Sequence, residues 1–106
     1  MASIDWNTVA KQAIAAAAAS LGATWNAVAP AAQHSIELLV MTAQYIAANA
    51  AQLDADDQKL LTDNQQLAMQ NVLLGYQAIG TAAAEQAVAA AWGIVQTALA
   101  TAIKVA

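Results

Sequence analysis

The sequence offers one place where acid–base or nucleophilic chemistry could begin. His34, Ser35 and Glu37 lie together in "HSIE", and a His and a Glu three positions apart share one face of a helix. His34 is the only histidine, and the chain has no cysteine. A metal site would therefore lack a second soft or imidazole ligand, and a thiolate nucleophile is excluded. No Gly-rich phosphate loop and no Ser/His/Asp order appears. The reading that follows is a surface pair near a helix start, in a chain expected to be neither an enzyme nor a holder of a cofactor or metal.

A second concentration of titratable groups lies in "QLDADDQKLL". The chain has three basic and seven acidic side chains, and Asp54, Asp56, Asp57, Lys59 and Asp63 fall within ten residues. Two readings are open. In one, the acids form a solvated turn, with Asp54 or Asp56 capping a following helix and its neighbours suiting the helix dipole. In the other, the cluster is a charge-repulsion device. Crowded carboxylates raise one another's pKa, and a polymer repeats the crowding along its lattice. Protonation between about pH 4 and 6, assisted by His34 beside Glu37, would then relieve repulsion and bias a two-state rearrangement. The pH-switch candidates are Asp54, Asp56, Asp57, Asp63, His34 and Glu37.

What surrounds these groups is a chain of 106 residues, sized for one domain, that is 60% hydrophobic and only 9% charged. Roughly three residues in ten are Ala and there is no Phe. Alanine favours helix but buries little surface, so one copy has a thin core and gains from packing on others. The net charge of −4, with Lys11, Lys59 and Lys104 scattered, argues against a nucleic-acid partner. So few charges also defend a surface poorly against association. Residues 12–33 and 86–103 are uncharged and long enough to span a bilayer. Their Ala, Gln, Ser, Thr and Asn content points instead to a buried or interfacial role. The start "MASIDWNTVA" has no basic region of a secretory signal.

The fold expected is all-α, with about four helical segments in Ala-rich hairpins packed laterally into a polymer. Ser3 or Asp5 caps a first helix over about 4–29, and Pro30 opens a second over 30–53, where its missing N–H costs nothing. A third spans about 57–79, stopped near Gly80, and Thr81 caps a fourth over 81–104. Apolar spacing of three and four supports them, as in Ile36, Leu39, Val40, Ala43 and Ile46.

The third helix is apolar on two faces. Leu60, Leu67 and Leu74 repeat at seven, with Asn64 and Asn71 beside them at the same interval. Met69, Val72, Leu73, Tyr76 and Ile79 make a second stripe. A hairpin mate can cover one stripe, and a neighbouring copy has to cover the other. The assembly-interface candidates are Met69, Val72, Leu73 and Tyr76, together with Asn64 and Asn71. The two Asn either set register at a seam or lie on a wet boundary.

Residues 29–79 resemble the R-body structural proteins, the killing-trait family. The likeness rests on "APAA" opening a helix, then "TAQYIAANAAQ", "DNQQLAMQ" and "NVLLGYQAIG" in that order, and more loosely on "VAKQAIAAAAASLG" before them. Residues 81–106 fall outside it. The resemblance implies a homopolymer, able to include homologous subunits: a ribbon wound into a cytoplasmic inclusion in bacteria that springs into a tube, commonly on acidification, and ruptures membranes mechanically. Membrane contact is then indirect or made on extension. A phage-type or toxin-type pore-forming helical protein, or an amphipathic granule coat, would share the composition.

Overall fold

Why the first helix stops where it does is decided by Gly22. In the computed structural model, which describes residues 4–76 and 79–105, helix α1 covers Trp6–Leu21. Gly22 follows at φ +61°, a conformation that favours glycine, and its N–H closes the helix on the Ala18 carbonyl. A single 3-10 turn, Gly22–Thr24, then leads into α2, Trp25–Ala48. The expected boundary at Pro30 is therefore corrected, because Pro30 lies inside α2. Its missing N–H leaves the Asn26 carbonyl without the usual partner, but both residues are exposed and water can serve.

At the start of α1, Asp5 accepts from the backbone N–H groups of Asn7 and Thr8 at 3.1 and 3.3 Å, and from the Thr8 hydroxyl at 2.9 Å. Those bonds, the Thr8 hydroxyl foremost, hold its carboxyl below the usual range. The other end of α2 also comes early, at Ala48 rather than 53. Asn49 turns the chain there, its amide donating to the Tyr45 carbonyl at 2.8 Å. Helix α3 spans Ala55–Leu74 and α4 spans Thr81–Val105. The expected third helix reached 79. Gly75 and Tyr76 instead form a turn, and Gln77 and Ala78 lie outside the described residues. The described residues contain no strand.

The four helices pack as a bundle 41 Å long. The most extensive pairings join α1 to α4 and α2 to α3, and α2 also touches both α1 and α4. The α1–α4 pairing is made by small side chains. Val9, Ala13, Ala17 and Leu21 recur every fourth residue on α1, facing a bundle interior that includes Ala84, Ala87, Ala91 and Val95 of α4. Small residues let backbones approach closely but bury little apolar area each. The bulky, fully buried side chains are mostly elsewhere: Ile36, Leu39 and Ile46 on α2 and Met69 and Leu73 on α3. Trp6, Trp25 and Trp92 are half-buried against this core.

Candidate assembly surface and acidic corner

The "HSIE" stretch lies on α2 with its members facing apart. Ser35 is buried, whereas His34 and Glu37 are exposed. Neither forms an ion pair among the described residues, where the one pair is Lys59–Asp63. Glu37 instead borders a shallow groove of about 330 Å³ between α1 and α2, shared with Lys11, Trp6 and Met41. No group of three His, Cys, Asp or Glu among the described residues is arranged to hold a metal.

At the acidic corner the local geometry occupies two of the four aspartates. Asp54 is the N-cap of α3 and accepts from the Asp57 N–H at 2.8 Å. Asp63 accepts from Lys59 Nζ at 2.6 Å, one turn along the same helix, and that hydrogen bond raises the Lys59 pKa. Asp56 and Asp57 sit in the first turn, where the helix dipole favours negative charge. All four carboxylates are exposed. The capped-turn reading accounts for the placement of Asp54, Asp56 and Asp57, and the Lys59 pair for that of Asp63. It does not account for a cluster of four in a chain this poor in charge.

The largest correction concerns α3. The stripe assigned to a neighbouring copy faces the chain's own core: Met69 and Leu73 are fully buried and Val72 and Tyr76 half-buried. Met69 and Leu73 belong to the common core, with Tyr76 packed against it, on a helix that contacts both α2 and α4. The other stripe points outward. Leu60 is 61% exposed, Leu67 55% and Leu74 40%, with Asn64 and Asn71 exposed between them. At about 100° per residue these five lie on the side of the helix opposite Thr62, Met69 and Leu73.

A second outward stripe was not anticipated. Leu38, Met41 and Tyr45 are 38%, 59% and 54% exposed on α2. Their spacing of three and four, out of phase with Ile36, Leu39 and Ala43, is the signal that marks them. All six exposed large hydrophobic side chains among the described residues therefore belong to α2 and α3.

Helix α4 has a different character. Over Thr81–Ile103, 23 residues, it is long and apolar enough to cross a membrane by length and composition, and it packs here as one member of the bundle. Among known proteins, no family model matches the chain, and no curated protein or solved structure matches it closely enough to be counted a relative.

Proposed function

We propose that this chain is a structural subunit of a self-assembling, R-body-like cytoplasmic ribbon, and that the ribbon changes shape on acidification to disrupt membranes mechanically. The observation that carries this reading is the pair of outward apolar stripes on α2 and α3. A monomer gains nothing from leaving six large apolar side chains wet on one hairpin, whereas a polymer buries them against further copies. The resemblance of residues 29–79 to R-body proteins points the same way. Asp54, Asp56 and Asp57 stand exposed together at the start of α3, so copies packed side by side at this corner would set like charges against one another.

Electron microscopy of lysed cells expressing the protein tests the reading. Rolled ribbons or tubes are expected, and dispersed material at every pH would refute it. A second reading, a membrane-active or pore-forming helical protein, is favoured by one observation, the apolar length of α4. It requires rings or leakage in liposomes and no ordered assembly without lipid.

A further inference from the structure

The outward face of α3 has a pattern more specific than apolarity. Leu60, Asn64, Leu67, Asn71 and Leu74 alternate at four and three, placing Leu at every d position and Asn at every a position of two consecutive heptads. We propose that this face pairs with the α3 of a second copy as a short, parallel, in-register two-stranded seam, its register set by Asn64 and Asn71. This deepens the assembly reading above and rests on it for its biological role.

Three features favour a second copy over another occupant. First, parallel pairing sets each residue opposite its own equivalent, so every layer is Leu on Leu or Asn on Asn. An amide both donates and accepts, so Asn can satisfy its own twin, whereas an antiparallel layering of a on d would set Asn64 against Leu67 and Asn71 against Leu60. Second, between Leu60 and Leu74 the only charge is Asp63, already held by Lys59 at 2.6 Å. The face thus presents no field to attract a partner of either sign. Third, the face lies directly opposite the bundle core, so two α3 helices can approach to roughly 8–10 Å with the bodies projecting away on either side.

The same geometry limits the strength of the contact. The seam is about 21 Å long and its three Leu are only about half exposed. A stable interface needs roughly 800 Å² from each partner, and three such side chains supply a fraction of that. Asp57, one a layer before Asn64, also meets its own twin at the solvent-exposed end and opposes pairing there. The pair alone is therefore weak, and it becomes durable only where the α2 stripe adds a second contact.

The absence of cysteine makes the test clean. In the full chain, Leu60→Cys and Leu74→Cys are oxidised mildly at high protein concentration, separately and mixed, with Ala15→Cys on the exposed face of α1 as the measure of chance collision. Disulfides require Cα atoms within roughly 7 Å, so a parallel seam joins 60 to 60 and 74 to 74. Both homodimers are expected at least tenfold faster than the Ala15→Cys product, with no 60-to-74 product in the mixture. A dominant 60-to-74 product would overturn the parallel register. Rates no greater than the collision control, in a protein that still forms ribbons, would overturn the seam and leave the polymer standing. Rapid 60-to-60 linkage in a protein that never forms ribbons would support the seam and refute the polymer.

Discussion

The α1–α4 pair and the α2–α3 hairpin solve the same packing problem with different side chains. The first pair is the more intimate, because Ala13, Ala17, Ala84, Ala87 and Ala91 are all fully buried and let two long helices lie close. Its outward surface carries no large exposed hydrophobic side chain among the described residues. The hairpin holds most of the bulky core, from Ile36 and Leu39 to Met69 and Leu73, and still presents Leu and Met outward. Proximity and energy are thus separated. Close contact resides in the alanine pair, most of the transfer free energy in the hairpin, and the surplus apolar surface on the exposed faces of the hairpin's two helices.

That separation can be broken experimentally, and the hairpin core should respond most. Leu73→Ala removes a fully buried side chain, and chemical denaturation should show a loss of about 2–5 kcal/mol. In the alanine pair the damaging change is the opposite one. Ala91→Leu forces volume into a contact with no room for it, and should cost about 1–3 kcal/mol by the same measurement. If Ala91→Leu were neutral, the helices would be less closely packed than described. Smaller still is the acidic corner, where Asp54→Ala deletes the α3 cap at a cost of about 1 kcal/mol and Asp54→Asn should restore most of it.

The smallest effect belongs to Asp5. Its carboxyl is held below its ordinary pKa by the Thr8 hydroxyl and by backbone N–H groups, so its contribution is present above the ordinary carboxylate pKa. That contribution is lost as pH falls through the depressed value. Thermal melts taken down the acid limb should show the start of α1 weakening there, and Asp5→Asn should flatten that dependence.

The helical architecture was legible because three-and-four spacing and high alanine content leave no competing strand pattern. The break between α1 and α2 was not. Pro30 looked like a helix start, yet a proline is tolerated inside a helix where water can reach the freed carbonyl, and Gly22 at positive φ is the stronger break. The orientation of α3 was not legible either. Its period announces two stripes, one of three Leu with two Asn between them and one of Met, Val, Leu and Tyr. Which one turns inward is decided by the shape of α2 and α4, which accept Met69 and Leu73. The Leu38, Met41 and Tyr45 stripe was visible in the spacing but was masked by the stronger inward stripe of the same helix. For the acidic corner, spacing revealed the Asp54 cap, whereas the Lys59–Asp63 bridge depends on a rotamer that a sequence does not specify.

The central claim is that the outward face of the hairpin exists to meet other copies, and Leu67→Glu addresses it most directly. Leu67 is 55% exposed, so the substitution should leave helicity intact and shift stability by no more than about 0.5 kcal/mol. Analytical ultracentrifugation of both proteins, with matched circular dichroism, is the decisive measurement. The account predicts large assemblies for the wild type and a folded monomer or small oligomer for Leu67→Glu. A wild type that sediments as a stable monomer at millimolar concentration, or a Leu67→Glu protein that assembles as the wild type does, would contradict it.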